Sequence, residues 1–209
     1  GLSCNALSAI RIGCNQLILP RFDVNELLEL INREKPFQLT AVPTMIFALN
    51  SHPLLEDSSI KDIYYLSSGG APLPVEQVKT FEKRVGIRLA DGYGLSETAP
   101  SAISTPPFLP RKLGSVGIPL PGTEARIVKE TEDGYVNVPV GEAGELILRG
   151  PQAMKGYWKR PSETQMVIRD GWLFTGDIAK MDEEGYLYIL DGKKDMIIAS
   201  GYNVYPREI

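Results

Sequence analysis

Residues 63–86 read Ile63-Tyr64-Tyr65-Leu66-Ser67-Ser68-Gly69-Gly70-Ala71-Pro72-Leu73-Pro74-Val75-Glu76-Gln77-Val78-Lys79-Thr80-Phe81-Glu82-Lys83-Arg84-Val85-Gly86. The branched and aromatic run Ile63 to Ser67 predicts a buried strand. Val75, Val78, Phe81 and Val85 then recur at helical spacing, and Gly86 is a natural stop. Between them lies a glycine- and proline-rich loop, so the stretch is a strand–loop–helix unit. The same rhythm extends upstream. Asp23 with Glu26 three residues on resembles a capping box, and Leu27, Leu28, Leu30 and Ile31 supply an apolar helix face that Pro36 ends. Leu39 to Val42 predicts a short buried strand, and Thr44 to Asn50 a helix after it. Downstream, Ile87 to Ala90 predicts a third strand opening into the loop Asp91-Gly92-Tyr93-Gly94. Such alternation predicts a mostly parallel sheet with covering helices. Ligands of such sheets collect at the carboxyl ends of the strands, where the two glycine-rich loops fall.

The character of the chain changes after Pro106-Pro107-Phe108-Leu109-Pro110. Short strand-like runs follow, at Ala125 to Val128, Glu145 to Leu148, Ile178 to Lys180 and Tyr186 to Leu190, separated by glycines and acidic turns. Asp182-Glu183-Glu184-Gly185 predicts a hairpin turn, because glycine accepts the positive φ that such turns require. A small antiparallel sheet or β-barrel-like subdomain is therefore expected. A third piece starts near Asp191, with a charged loop and then Met196 to Ala199 and Tyr202 to Tyr205 around Gly201. The fold class is accordingly α/β: a partial, mostly parallel sheet with covering helices, an antiparallel β-barrel-like subdomain, and the start of a C-terminal α+β domain. The expected domain division is 1–110, 111–190 and 191–209.

Composition narrows the function classes. The 209 residues are 43% hydrophobic and 23% charged with a formal net charge of -4, values of an ordinary globular protein. Mild acidity and the lack of a long basic run argue against nucleic acid as a partner. Cys4 and Cys14 lack partners at metal-ligand spacing and are expected to be reduced, buried small hydrophobes. The single histidine, His52, stands beside Pro53 in an expected loop, far from any carboxylate or cysteine cluster, and is set aside as a catalytic candidate. The most apolar stretch, Leu39 to Leu49, is too short to cross a bilayer and carries Pro43 and two threonines. There is no signal peptide and no Asn-x-Ser/Thr acceptor, so a cytoplasmic location is expected. The chain opens at Gly1 without methionine and stops at Ile209 in what reads as the opening of a helix. Both ends are those expected of an excised fragment.

Three sets of residues carry chemistry. Ser68-Gly69-Gly70-Ala71-Pro72 follows a strand and lets a flat or charged ligand approach the backbone; an ordinary strand–helix turn explains it equally well. In Asp91-Gly92-Tyr93-Gly94-Leu95-Ser96-Glu97 an aromatic ring flanked by glycines can lie flat against a base. The hydroxyl of Ser96 and carboxylate of Glu97 then suit a phosphate oxygen and a magnesium ion; the alternative is a turn with a helix cap at Ser96. In Gly171-Trp172-Leu173-Phe174-Thr175-Gly176-Asp177, Asp177 at the end of an apolar strand could accept both hydroxyls of a ribose, or it is a solvated strand-end aspartate. The set Gly141-Glu142-Ala143-Gly144-Glu145-Leu146, Gly150-Pro151 and Gly156-Tyr157-Trp158 reads as strand, turn and aromatic packing, with no acid–base pair.

Taken in order, these motifs, together with Asp191-Gly192-Lys193-Lys194-Asp195-Met196-Ile197 and Gly201-Tyr202-Asn203-Val204-Tyr205-Pro206, resemble the acyl-adenylate-forming (AMP-binding) superfamily. Acyl-CoA synthetases, luciferases and peptide-synthetase adenylation domains belong to it. The resemblance covers essentially the whole chain and is greatest to bacterial long-chain fatty acyl-CoA ligases. It implies that Tyr93 stacks on adenine, that Gly69, Gly70 and Ala71 line the adenine and acyl sites, that Asp91 lies near the adenine amino group, and that Gly92 belongs to the nucleotide-binding set. It further implies that Ser96 contacts the α-phosphate, Glu97 holds Mg2+, and Asp177 binds the ribose. Asp191 and Lys194 would form the hinge of the small C-terminal domain, and Gly201 the passage for the coenzyme A arm. The implied reactants are a fatty acid, ATP and coenzyme A, with AMP, pyrophosphate and acyl-CoA as products. Other acids remain as alternatives: aryl or short-chain acids, or the amino acids of an adenylation domain.

Three departures from the family pattern stand out. Its phosphate-cradling Ser/Thr/Gly-rich loop and its C-terminal lysine are both absent from this chain, so the 209-residue piece is expected to be inactive in ATP–pyrophosphate exchange. Gly192 stands where arginine is usual, which removes a planar cation expected near ribose and phosphate. Apolar sheet surface left bare by the missing upstream half is expected to favour self-association, as a homo-oligomer. A fatty substrate makes peripheral membrane contact a further expectation, although no amphipathic anchor is visible.

Overall fold

The computed structural model describes residues 2–192, 197–199 and 202–204. Two compact units are present, one of residues 1–93 with 105–114 and one of residues 94–104 with 115–209.

In the first unit, helix α1 (Val24–Glu34) is capped as its sequence predicts: Asp23 Oδ1 accepts the Asn25 and Glu26 amides at 2.8 and 3.1 Å. It buries Leu27, Leu28 and Ile31, with Leu30 only half-buried, and stops at Lys35 in the left-handed conformation, one residue before Pro36. Strand β1 (Gln38–Ala41) leads into helix α2 (Pro43–Ser51), whose first residue is a proline with no amide to leave unpaired. Strand β2 (Tyr65–Ser68), helix α3 (Val75–Val85) and strand β3 (Leu89–Tyr93) follow. The three strands are parallel in the order β1-β2-β3. Leu39, Leu66 and Leu89 form one cross-strand row, and Ala41, Ser68 and Asp91 the row nearest the carboxyl ends. Both rows therefore project from the same face. Ile46 and Leu49 of α2, Phe81 of α3, Leu55 and Ile60 are completely buried against Leu66 and Leu89. Arg84 of α3 donates to the Asn50 and His52 carbonyls and pairs with Glu56 at 2.7 Å, which satisfies carbonyls left over at the end of α2.

Three details differ from the sequence-based expectation. Strand β2 starts at Tyr65 because Ile63 closes the single turn Ser59–Asp62, while the Tyr64 and Tyr65 amides both donate to the Phe37 carbonyl. Strand β3 continues through Asp91-Gly92-Tyr93, expected as a loop, because Asp91 pairs in register with Ser68 and its carbonyl accepts the Thr105 amide at 3.0 Å. Cys4 and Cys14 are exposed free thiols rather than buried ones, since the short helix Ser8–Ile12 near them buries no residue. His52, by contrast, has a structural place. Its Nδ1 accepts the Leu54 amide at 3.2 Å, so Nε2 carries the proton and donates to Asn25 Oδ1 at 2.9 Å.

The second unit is antiparallel throughout. Strands β4 (Ile103–Ser104) and β5 (Ile118–Pro119) pair with each other. Strands β6 (Glu124–Thr131), β7 (Gly134–Asn137), β8 (Gly144–Arg149), β9 (Ile168–Arg169), β10 (Trp172–Met181) and β11 (Leu187–Gly192) form a sheet ordered β11-β10-β8-β6-β7, with β9 on β10. Helix α4 (Pro161–Val167) precedes β9. Val128, Ile147, Trp172 and Phe174 form a core on one face, with Tyr135 edge-on to Phe174 at 5.1 Å. Gly144 has no room for a side chain: a Cβ there would lie 2.5 Å from the Val128 carbonyl oxygen. The turn expected at Asp182–Gly185 is present, with Gly185 at φ +83° and Asp182 Oδ1 accepting the Glu184 and Tyr186 amides. Strands β12 (Ile197–Ala199) and β13 (Tyr202–Val204) pair antiparallel with each other. Among the described residues no helix is long and apolar enough to cross a membrane.

Candidate functional site

In the first unit, the strand ends gather polar groups. Gly69 follows β2 directly, and its amide donates to the Ala41 carbonyl at 3.2 Å. Gly70, at φ +85°, and Ala71 are exposed, and Gly70 leads the chain away from the sheet in a conformation that favours glycine. Asp91 is half-buried beside Ser68, and its Oδ1 accepts the Gly92 amide at 2.8 Å. Two buried hydroxyls next to it, Ser68 Oγ and Thr105 Oγ1, have no protein hydrogen-bond partner. A buried hydroxyl left unpaired is a place where a ligand or water completes the bonding. Gly92 and Tyr93 close the strand, both half-buried.

Burial pushes the Asp91 carboxyl up to about 6, against the opposing pull of the Gly92 amide and the Arg111 guanidinium. The same arginine pairs with Glu82 at 2.6 Å and donates to the Leu89 carbonyl at 3.0 Å, while Glu82 Oε1 accepts the Leu89 amide. That network ties the start of β3 to α3. A carboxyl held above its ordinary value binds its proton more tightly in the folded state than in the unfolded one. Its destabilising effect is therefore complete above about pH 6 and relieved as pH falls towards 4. Asp91→Asn is expected to raise unfolding free energy at pH 8 by up to about 3 kcal/mol and to flatten its slope between pH 4 and 6. Urea unfolding at pH 4.5 and pH 8 measures both.

In the second unit, Glu97 sits in the single turn Ser96–Thr98. The sequence offers Ser96 as a cap, but the cap is Thr98, whose Oγ1 accepts the Leu95 amide at 2.9 Å; Ser96 is exposed. Gly94 starts this loop under tight constraint, since a Cβ there would lie 1.7 Å from the Pro100 carbonyl oxygen. Glu97 is held twice by one distant loop. Its carbonyl accepts the Met154 amide at 2.8 Å, and its Oε1 accepts the Tyr157 hydroxyl at 2.7 Å. The bond to Glu97, more than burial, raises the Tyr157 phenol above its ordinary value. Among the described residues, no other side chain or amide donates to the Glu97 carboxylate. No group of three or more His, Cys, Asp or Glu side chains suited to a metal ion occurs among the described residues. One half-exposed carboxylate with a spare oxygen fits Mg2+ in its usual protein setting, held by one or two carboxylates together with substrate phosphates.

Asp177 lies in the middle of β10 rather than at the end of a strand, as its motif suggests. The reason is a β-bulge: the register to β8 shifts between Phe174 and Ile178. Thr175 Oγ1 donates to the Leu146 carbonyl at 2.7 Å and accepts the Asp177 amide at 3.1 Å, while Glu145 Oε1 accepts the Gly176 amide at 3.1 Å. Gly176, at φ +74°, makes the bulge sterically free. Across the neighbouring strand, Asp177 faces Gly192 and Ile178 faces Asp191. Asp191 is buried and its Oδ1 accepts the Gly192 amide. Lys194 and Gly201 lie outside the described residues.

The structure thus brings Asp91 to Ser68 and Gly69 in one unit, and Asp177 to Asp191 and Gly192 in the other. Tyr93 belongs to the first unit, Glu97 and Asp177 to the second. Tyr157, Thr175 and Glu145 are absent from the sequence-based candidates. All three stand inside quoted motifs, but no local signal marks their partners. A concavity of ≈ 980 Å³ in the second unit, with Glu130, Glu132, Asp133 and Arg169 in its lining, contains no candidate residue.

Residues 1–158 match the model of the family described as AMP-binding enzyme. The chain is 47% identical over 209 residues to a long-chain-fatty-acid–CoA ligase of Bacillus subtilis (strain 168), covering all of this chain and 37% of that protein. It is 35% identical over 210 residues to a feruloyl-CoA synthase of an Amycolatopsis species, covering all of this chain and 42% of that protein. Among solved structures it is similar to ATP-bound MatB from Rhodopseudomonas palustris, with a TM-score of 0.90 and 34% identity over 97% of this chain and 40% of the other. The chain spans about two fifths of the length of these relatives.

Proposed function

Since the chain belongs to the AMP-binding enzyme family, we propose that it is a segment of an AMP-forming long-chain fatty acid–CoA ligase. The observation that carries this reading is the 47% identity to a long-chain ligase along the whole chain, against 35% to the aryl-acid synthase. The reaction runs in two steps. The fatty carboxylate attacks the α-phosphorus of ATP, pyrophosphate leaves, and an acyl-adenylate remains. The coenzyme A thiol then attacks the acyl carbon and AMP departs. Neither step needs a strong protein base, because a carboxylate is already ionised at neutral pH and AMP is a good leaving group. Rate enhancement rests on alignment and on charge stabilisation.

The roles of individual residues are part of the same proposal. Tyr93 stacks on adenine, with Asp91 and Gly92 beside the base and Gly69, Gly70 and Ala71 lining the adenine and acyl sites. Unpaired Ser68 and Thr105 hydroxyls beside Asp91 support a polar ligand at these strand ends. Ser96 meets the α-phosphate, and Glu97 holds Mg2+, which when bound neutralises charge on the phosphate oxygens. Asp177, freed from the ladder to β8 by the bulge while still facing Gly192 of β11, accepts the ribose hydroxyls. Asp191 and Lys194 form the hinge and Gly201 the coenzyme A passage, within a division at residues 110 and 190.

The test is ATP–pyrophosphate exchange by the whole-length protein with a panel of carboxylates. Long-chain saturated acids are expected to give the highest kcat/KM. Preference for ferulate or another aryl acid would establish the alternative reading, and no exchange with any acid would end the adenylation reading.

A further inference from the structure

Tyr157 has a place that the proposed reaction leaves unassigned. Its phenol donates to Glu97 Oε1 at 2.7 Å across 60 residues of chain, and the same loop holds the Glu97 backbone through the Met154 amide. The loop is itself locked. The Tyr157 amide donates to Thr164 Oγ1 at 2.9 Å, and that hydroxyl donates to the Arg160 carbonyl at 2.9 Å. Gly156, at φ +148°, permits this closeness, because a Cβ would lie 2.7 Å from Thr164 Cγ2. Glu97 itself is half-exposed, and among the described residues its second carboxylate oxygen takes no hydrogen bond.

From this arrangement we infer that Tyr157 is a positioning residue for Glu97, holding one carboxylate oxygen so that the other is presented to a divalent cation carried by a nucleoside triphosphate. The inference rests on the reading of Glu97 under the proposed function. Buttressing of the loop alone does not account for the bond. The loop is already fixed through Met154 and Thr164, and a half-exposed phenol–carboxylate bond adds little to folding stability. What the bond does restrict is the glutamate side chain, whose rotamer freedom would otherwise be lost when the cation binds. Partners that orient a metal-binding carboxylate typically change metal affinity 10–100-fold.

The experiment uses the whole-length protein with Mn2+ as probe and an ATP analogue that cannot be cleaved at the α–β bridge. Bound Mn2+ is followed by electron paramagnetic resonance, and AMP binding is measured separately without metal. Tyr157→Phe, which keeps the ring, is expected to weaken Mn2+ about tenfold in the ternary complex and to leave AMP affinity and thermal midpoint unchanged. Mn2+ affinity equal to wild type in Tyr157→Phe, with a loss in Glu97→Gln, would overturn the positioning role while sparing the assignment of Glu97. Equal losses of Mn2+ and AMP affinity in Tyr157→Phe would make the tyrosine merely structural and overturn it as well. If Glu97→Gln binds Mn2+ like wild type, the assignment of Glu97 fails and the role of Tyr157 fails with it.

Discussion

Glu97→Gln in the whole-length protein is expected to lower ATP–pyrophosphate exchange by about 10²–10³-fold, the cost of removing one preorganised electrostatic contact to the charge that develops in the transition state. Glutamine has the shape of glutamate, and its carbonyl oxygen can still accept the Tyr157 hydroxyl, so the loop around residue 97 keeps its anchors. The change therefore removes charge and little else. Because the charge acts on a phosphate-bound cation, the half-saturating Mg2+ concentration should rise along with the loss of rate. Titration of Mg2+ at fixed ATP measures both. Ser96 provides the contrast: its hydroxyl is exposed, and Ser96→Ala removes one hydrogen bond without removing a charge, so roughly a tenfold loss is expected. If the two variants lose equally and Mg2+ dependence is unchanged, Glu97 does not hold the cation.

Gly192→Arg is expected to tighten ATP binding about tenfold. Gly192 is the cross-strand partner of Asp177, on the strand that also carries Asp191. A guanidinium placed here enters the row proposed to hold the ribose, where a charge-assisted bond to phosphate is worth about 1.5–3 kcal/mol. Arginine and glycine differ by an entire planar cation, so a site with glycine either lacks that charge or obtains it from another residue. KM for ATP, with kcat measured in parallel, separates the two cases. A tenfold fall in KM marks a site weakened by glycine, and no change marks one in which another cation already serves. The opposing-charge pair with Asp177 alone would stabilise the sheet by only about 0.2–1 kcal/mol, too little to imitate the effect.

Legibility in the sequence followed the range of the interactions. The end of α1 at Pro36, its cap at Asp23, the helix Val75–Val85 stopped by Gly86, and the turn at Gly185 all depend on neighbours within a few residues. Capping, period and positive φ are local chemistry, so a reading of the chain reaches them. Strand edges were less legible. Tyr65 and Asp91 are assigned to strands by partners on other segments, the Phe37 carbonyl for one and Ser68 with the Thr105 amide for the other. The two cysteines illustrate the same limit, because burial depends on what packs against a segment and not on the residue type alone.

What the sequence by itself determined is the α/β first unit, the antiparallel second unit and the order of the family motifs, because side-chain period and turn chemistry are written in consecutive residues. Only the tertiary structure decided that Tyr157 grips Glu97, that Glu145 and Thr175 raise Asp177 on a bulge, and that Gly192 faces it. Those contacts join residues up to 60 positions apart, and no periodicity or propensity connects groups that meet only after the chain has folded.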